Sequence, residues 1–570
     1  MQAGRRYPIA RPGRLRLEHW VMAATMLALV ILIVLPLVWL FWGSLTGERG
    51  VTLAYFERAL LSRLYYQALI NSLVLGAWTG LLSILIGVPL AWAVSRSNVP
   101  GKPFMRLTAS IAYLSPPFLI AIAYVNLFSP NAGIANQLLR DVMGLPNLTF
   151  NIYSMAGLVL VTVPHTFPFV YLLAASALES VDASYEESAQ ILGAGKLRTA
   201  LSITFPLVAP AILSGALIGF VNAIALFGSQ AIVGLPGRIF TLPTRIYALF
   251  SYPPQYGLAS ALSLILVAIT ILALYLQRAY LARRSYATLA GKGVRTELVD
   301  LGSWRWLVFG FSVLIFIVAI LLPYAALVAV SFSKSWGLAF WQNLTLANYR
   351  FVLFEYDVTQ RAILNSLVLA TLAASIAAML GVVIGWIDLR TTVIGRRLID
   401  YVSLIPLGLP GIVMAVALIQ FWLSLPLPLY GTLMILLLAY VARYIPIGVR
   451  AANAALRQVD PSLEESARIL GASWAFTLKE ITLPLIRPAL FAGWILIFVP
   501  AIQELSASIL LFSSSSITLA VAVYNLYETG HLEPVAALAI LNMAIIGAAI
   551  AVANRFGGER RGVGMTQSAQ

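Results

Sequence analysis

One pattern occurs twice in this chain, as DASYEESAQILGAGKLRTALSITFPLVAPAI (Asp182–Ile212) and as DPSLEESARILGASWAFTLKEITLPLIRPAL (Asp460–Leu490). A single offset of 278 residues (460 − 182) relates the matched positions: Glu187 and Glu465, Gly193 and Gly471, Pro206 and Pro484, Pro210 and Pro488. A repeat of this length predicts two copies of one structural unit, related by pseudo-symmetry.

Each copy of the repeat predicts a short helix followed by a tight turn. Asp182 and Asp460 can cap the helix N-terminus, and Pro461 suits its first turn. The helix dipole favours the acidic residues that follow: Glu186, Glu187, Glu464 and Glu465. Gly193 and Gly471 predict the helix stop. A second short helix is predicted to end at Pro206 or Pro484, just before the next apolar stretch.

The composition predicts that lipid surrounds this chain. Of its 570 residues, 60% are hydrophobic and 10% are charged, and the mean hydropathy is +0.89. Soluble domains carry about 25% charged residues. Stretches of about 20 apolar residues can cross a bilayer, and we find them near residues 20–44, 68–95, 107–128, 153–178, 209–233, 257–277, 306–331, 362–387, 398–424, 431–453, 488–512 and 532–554.

The predicted fold is therefore an all-α polytopic membrane protein of about twelve transmembrane helices in two pseudo-symmetric six-helix halves. The predicted segments are a basic N-terminus (1–19), a first half (20–277), a linker (278–305), a second half (306–554) and a tail (555–570). The first apolar run is longer than the core of a signal peptide and no small-residue cleavage site follows it, so we interpret it as a retained span.

The distribution of basic residues predicts the orientation. The net charge of +15 could suit nucleic acid, but the Lys and Arg residues lie in short runs between apolar stretches. Basic residues are retained in cytoplasmic loops. We therefore expect both termini, the linker and both repeated segments in the cytoplasm of a bacterial inner membrane, with lipid and no nucleic acid as partner.

The repeated segments resemble the cytoplasmic EAA loop, E-A-A-x3-G-x9-I-x-L-P, of ABC importer permeases. The matching positions are Glu187-Ser188-Ala189, Gly193, Ile203, Phe205 and Pro206, and Glu465-Ser466-Ala467, Gly471, Ile481, Leu483 and Pro484. The first Ala is Ser in both copies, and Phe205 replaces Leu in the first.

The resemblance implies that this chain has no catalytic activity and binds no cofactor, since two copies of a separate ATPase subunit hydrolyse ATP. It also implies an external binding protein, periplasmic or lipid-anchored, and alternating access. The GAGK at 193–196 is no P-loop, because Gln190 and Leu197 stand at required positions. The residues expected to couple to the ATPase are Asp182, Glu186, Glu187, Gly193, Asp460, Glu464, Glu465 and Gly471.

Polar residues within the apolar stretches are candidates for the translocation pathway, because burying them in lipid is costly. They are His165, Asn222, Arg443 and Glu504, with Arg450 as a further ionisable group. His165 and Arg443 are equivalent under the 278-residue offset. An Arg443–Glu504 ion pair could equally serve helix packing alone. Pro164, Pro168, Pro446 and Pro500 are expected to interrupt the helices there.

The cargo does not follow from composition or spacing. The segments 227–263 and 503–513 and the linker RRSYATLAGKG resemble fused iron(III) importer permeases. Ferric iron is therefore the expected cargo, with thiamine, phosphonate or polyamine as alternatives. A twelve-helix secondary transporter and a non-transporting scaffold are alternatives of other classes, and the duplicated loops argue against both.

Overall fold

The computed structural model describes residues 17–283 and 298–557, which are almost entirely helical. The described strands form one two-stranded antiparallel sheet, β1 (Thr46–Gly47) and β2 (Gly50–Val51), with Thr46 opposite Val51. The first 16 residues, residues 284–297 and residues 558–570 lie outside the described part, so the tails and most of the linker are not described.

The first half contains these helices: α1 Leu17–Leu29, α2 Leu35–Leu45, α3 Ala54–Leu61, α4 Arg63–Arg96, α5 Lys102–Leu114, α6 Pro117–Phe128, α7 Ile134–Gln137, α8 Met155–Ser180, α9 Ala183–Ile191, α10 Lys196–Thr199, α11 Phe205–Ala225, α12 Gly228–Gly234, α13 Leu242–Ala248 and α14 Tyr256–Arg283. Single π-helical turns join consecutive segments at Val30–Val34 and Ala200–Thr204, and a third follows α7 at Leu138–Val142.

The second half contains these helices: α15 Trp304–Phe316, α16 Leu322–Ser331, α17 Ala347–Arg350, α18 Val358–Arg390, α19 Arg396–Leu404, α20 Gly411–Leu423, α21 Leu433–Arg457, α22 Pro461–Ile469, α23 Trp474–Thr477, α24 Leu483–Ile502, α25 Ser508–Leu511, α26 Leu519–Glu528 and α27 Leu532–Gly557. The π turns are Ile317–Leu321, Phe351–Glu355 and Leu478–Thr482, and the 3₁₀ turns are Phe340–Gln342 and Ile405–Gly408.

The helices confirm the predicted fold class, with one refinement. Within the described residues, ten helices are long and apolar enough to cross a membrane. Two further spans are bent pairs, α5 with α6 at 97° and the Arg396–Gly408 segment with α20 at 114°. Both bends occur at prolines, Pro116-Pro117 and Pro410, which lack the N–H that would continue a helix. Counting each pair as one span gives twelve.

Three long helices form the centre of each half. In the first half α4, α8 and α11 pack together, and in the second half α18, α21 and α24 do so. Glycines allow the closest crossing: a Cβ on Gly381 would overlap the carbonyl carbon of Gly448, and one on Gly448 would overlap the carbonyl oxygen of Ala377. Small residues of this kind let membrane helices approach closely and gain packing contacts.

The first span of each half packs against the opposite half. Helix α2 contacts α20, and α16 contacts α6. Hydrogen bonds join the halves as well: Trp336 Nε1 donates to the Asn126 carbonyl (2.8 Å), and Thr270 Oγ1 donates to the Gly408 carbonyl (2.7 Å). The two halves are therefore interlocked rather than side by side.

The predicted second short helix of each repeat is a correction. The segment does not end at Pro206 or Pro484. Instead α10, a π turn and α11 form one continuous helical run, and α23, a π turn and α24 do the same. A π turn is wider than an α turn and precedes the proline at the N1/N2 position of α11 and of α24, so the proline does not break the helix.

Candidate functional site

The two repeated segments form matched short helices at equivalent ends of the halves. Asp182 Oδ1 accepts a hydrogen bond from the Ser184 N–H (2.9 Å), and Asp460 Oδ1 accepts one from the Ser462 N–H (2.9 Å). These bonds satisfy otherwise free N–H groups at the start of α9 and α22. The bond from Ser462 lowers the pKa of Asp460, so the carboxylate that makes it is favoured. We call α9 and α22 the coupling helices.

Gly193 and Gly471 end the coupling helices in the left-handed conformation, with φ of 84° and 88°. The Ala194 N–H bonds to the Ala189 carbonyl (2.9 Å), and the Ala472 N–H bonds to the Ala467 carbonyl (3.0 Å). This pattern is a Schellman motif, which favours glycine because a Cβ is strained at positive φ.

Exposed apolar side chains occupy the tips of both coupling helices. Ile191 and Leu192 are 85% and 88% exposed, and Ile469 and Leu470 are 84% and 87% exposed. The 278-residue offset relates the two pairs. Our sequence reasoning missed them, although both repeats carry the same Ile-Leu-Gly before the turn. Apolar pairs so exposed, and duplicated, are typical of a docking surface for another protein.

Glu186 and Glu464 point inward rather than toward a partner. Thr204 Oγ1 donates to Glu186 Oε1 (2.6 Å), and Thr482 Oγ1 donates to Glu464 Oε1 (3.0 Å). Each carboxylate therefore ties its coupling helix to the start of the following membrane helix. The side chain of Glu187 lies outside the described residues, whereas Glu465 is exposed.

An arginine from the first long helix of each half completes the arrangement. Arg96 Nη1 lies 3.8 Å from Glu186 Oε2, and Arg390 Nε lies 3.5 Å from Glu464 Oε1. The Arg96 side chain is 1% exposed and that of Arg390 is 11% exposed. We call Arg96 with Glu186, and Arg390 with Glu464, the arginine clamps.

Each clamp also holds the end of the helix that precedes the coupling helix. Arg96 Nη2 donates to the carbonyls of Leu178 (2.7 Å) and Val181 (2.5 Å). Arg390 Nη2 donates to those of Leu456 (2.9 Å) and Val459 (2.6 Å). Free carbonyls at a helix C-terminus favour a cation. The clamp thus joins three elements: α4, α8 and α9 in one half, and α18, α21 and α22 in the other.

Sequence reasoning missed the clamp arginines for a specific reason. Their separation is 294 residues (390 − 96), not the 278 of the repeat, because the two halves differ in length between α4 and α8. Aligning the repeats therefore does not pair them. The available signal was a basic residue ending a long apolar stretch in each half, which we had assigned to membrane topology alone.

Among the four pathway candidates, the structure brings Arg443 and Glu504 together. Arg443 Nε lies 3.0 Å from Glu504 Oε2, which also accepts a hydrogen bond from the Tyr444 hydroxyl (2.8 Å). Glu504 Oε1 accepts the Ala507 N–H (2.9 Å) at the break between α24 and α25. The pair thus links α21 to an interrupted helix within the second half.

The first half carries no equivalent ion pair at these positions. His165 replaces Arg443, and Leu226 stands where the offset places Glu504 (504 − 278). The His165 ring stacks on Tyr113, with centroids 6.1 Å apart. Asn222 Nδ2 donates to the Ile218 carbonyl of its own helix (3.0 Å). The intramembrane charge is thus concentrated in one half.

Two expectations about these spans are wrong. Arg450 is exposed rather than deep, because it lies near the end of α21 that leads to the coupling helix. Pro164 and Pro168 do not interrupt α8, and Pro446 does not interrupt α21. Among these helices the break lies just after Pro500, where α24 ends at Ile502.

A family model described as "Binding-protein-dependent transport system inner membrane component" matches residues 83–286 and again residues 377–557. The two matches cover more than half of the chain. The chain belongs to this family. It is accordingly a multi-pass inner-membrane component of an ABC importer, a transport subunit rather than a catalytic one, with its family unit present twice.

Similar proteins agree with this membership. The chain is 28% identical to the ferric transport system permease protein FbpB of Actinobacillus pleuropneumoniae, over 84% of this chain and 69% of that protein. It is 28% identical to a putative ferric transport permease FbpB 1 of Haemophilus influenzae, over 82% and 73%. The molybdenum transport permease ModB of Escherichia coli is 30% identical over 39% of this chain and 94% of its own.

A solved structure of a bacterial alginate ABC transporter, in complex with an alginate-bound periplasmic protein, is 19% identical with a TM-score of 0.39. It covers 46% of this chain and 94% of its own.

Proposed function

We propose that this chain is the complete membrane channel of an importer for ferric iron, with both permease halves in one polypeptide. Its external partner is a substrate-binding protein and its cytoplasmic partners are two copies of an ATPase subunit. The observation that carries the proposal is the pair of coupling helices, because each half presents the same exposed apolar tip on the same capped and glycine-terminated helix.

The proposed mechanism is a rigid-body transfer of motion. Each ATPase subunit binds one apolar tip, so that closure of the two subunits around ATP moves both coupling helices together. The arginine clamps carry this motion into α4 and α18, and the continuous runs from α10 to α11 and from α23 to α24 carry it into the fifth span of each half. Packed helices respond to such forces by discrete rearrangement.

The coupling residues that we expected divide between two roles in this mechanism. Asp182, Asp460, Gly193 and Gly471 shape the coupling helices, and Glu465 remains free for the ATPase. Glu186 and Glu464 act within the chain, where they fasten the helices to the membrane core. Glu187 remains a proposed ATPase contact by its equivalence to Glu465.

Ferric iron is supported by the extent of the similarity. The relatives named as ferric transport permeases match over more than four fifths of this chain. A relative named for 2-aminoethylphosphonate transport, PhnU of Salmonella typhimurium, is 27% identical over 46% of it. Both termini and the coupling helices lie in the cytoplasm in this proposal, which the basic residues near the termini support.

Reconstitution tests the proposal directly. The full chain is placed in proteoliposomes with its ATPase, and the binding protein is loaded with radioactive ferric iron on the opposite side. We expect iron uptake that requires both ATP and the binding protein. Uptake without ATPase, or ATP-dependent uptake of the alternative cargoes with none for iron, would contradict the proposal.

A further inference from the structure

A cavity of about 550 Å³ opens between the two halves of the molecule. The first half contributes residues such as Ser129, Tyr153 and Leu235, and the second contributes Tyr524 and Tyr527. Tyr153 directly precedes the N-terminal cap of α8, whereas the coupling helix follows the other end of α8. A helix of 26 residues is about 39 Å long. The cavity therefore lies on the face opposite the coupling helices.

Oxygen atoms from both halves meet in this cavity. Tyr524, Tyr527 and Glu528 share one face of α26, at positions i, i+3 and i+4. The side chain of Tyr524 is hydrogen-bonded to Glu528, and that of Tyr527 to Tyr153 of the other half. The Tyr527 hydroxyl also donates to the Ile232 carbonyl (3.2 Å). Three phenols and one carboxylate thus lie at the boundary between the halves.

The charge of the cavity selects the sign of a ligand. Among the described residues that line it, Glu528 is the only ionised group, and no Lys or Arg lines it. An anion such as a phosphonate needs N–H or basic donors, whereas a hard cation prefers carboxylate and other oxygen ligands. No group of three or more His, Cys, Asp or Glu among the described residues could hold a metal ion; in this cavity tyrosine supplies most of the oxygens.

We propose that this cavity is an entry site that binds a hard trivalent cation through Tyr153, Tyr524, Tyr527 and Glu528. The identity of that cation as transported cargo rests on the proposed function. A phenol has an ordinary pKa of about 10, so each tyrosine that coordinates loses its proton to solvent as the oxygen–metal bond forms. Because the donors come from both halves, a movement between the halves separates them and releases the cation.

The test uses the full chain in lipid nanodiscs, without ATPase or binding protein, titrated with ferric nitrilotriacetate. We expect a visible phenolate-to-iron charge-transfer band and a matching release of protons. Tyr527→Phe and Glu528→Gln should weaken the apparent affinity by about tenfold or more. Tyr247→Phe is the matched control: Tyr247 lies on α13 in the first half and packs on Tyr524, but does not line the cavity.

Two results would overturn the inference: no band in the unaltered chain, or an unchanged band when Tyr153, Tyr524 and Tyr527 are all replaced by Phe. Size-exclusion profiles confirm that each variant is folded. ATP-driven iron uptake by a chain that shows no band would refute the entry site and leave the proposed function intact. Binding of iron by a chain that never transports it would do the reverse.

Discussion

Arg390 Nε lies 3.5 Å from Glu464 Oε1, and Arg96 makes the same contact with Glu186 in the other half. In each case an arginine at the end of a long membrane helix holds a carboxylate on the helix that faces the cytoplasm in our proposal. The duplication matters, because a contact that served only one local turn would have no reason to occur at both positions.

Replacing Arg390 with Gln should uncouple ATP hydrolysis from transport. Removing one partner of a buried ion pair costs about 3–5 kcal/mol, and here it also frees the carbonyls of Leu456 and Val459. We expect the variant to insert in the membrane and bind ATPase, but to lose most binding-protein-stimulated uptake. Lys479→Gln is the control, since its ion pair with Glu480 is exposed. Normal uptake by the Arg390 variant would refute the clamp's role.

The apolar tips should determine attachment of the ATPase. Replacing both Leu192 and Leu470 with Asp places a charge where we expect a desolvated contact, and a buried unpaired charge is strongly unfavourable. Copurification of the ATPase with the double variant should be lost, and each single variant should retain part of it. Tyr252→Ser is the control, because Tyr252 is 95% exposed but lies away from the coupling helices. Unchanged copurification of the double variant would show that docking occurs elsewhere.

Gly471→Ala tests the turn that ends the second coupling helix. Nothing lies within 4 Å of an added Cβ, so the cost comes from the φ of 88° alone; a left-handed residue with a Cβ costs about 1–2 kcal/mol. We expect a weaker ATPase complex and unaltered membrane insertion. Gly547→Ala also adds a Cβ in open space, but within a helix. A larger loss of ATPase binding in the Gly547 variant would contradict this reasoning.

Glu504→Gln should separate the structural from the transport role of the intramembrane pair. The change preserves size but leaves Arg443 without its carboxylate, so we expect a clear drop in the thermal unfolding temperature of the purified chain. His165→Gln, at the position equivalent to Arg443, should change it little, because no carboxylate pairs with His165. An unaltered unfolding temperature together with lost uptake would instead place Glu504 on the pathway.

Much of the coupling site could be read from the sequence because its signals are local. The caps at Asp182 and Asp460 and the stops at Gly193 and Gly471 depend on neighbours within a few residues. The directions of Glu186 and Glu464 could not be read, because two adjacent glutamates on a helix face different ways and only the packing tells which one meets an arginine. The continuity of α10 with α11 was also hidden, because a π turn has no clear sequence signature.

The sequence by itself determined the membrane fold, the duplication and the position of the two coupling helices. Hydrophobic length, charge distribution and repeated caps act over short distances and survive in a linear reading. Tertiary structure alone determined the arginine clamps, the interlocked first spans and the tyrosine cavity between the halves. Tyr153 and Tyr527 are separated by hundreds of residues, and they meet only because long helices of fixed rise carry them to the same face of the molecule.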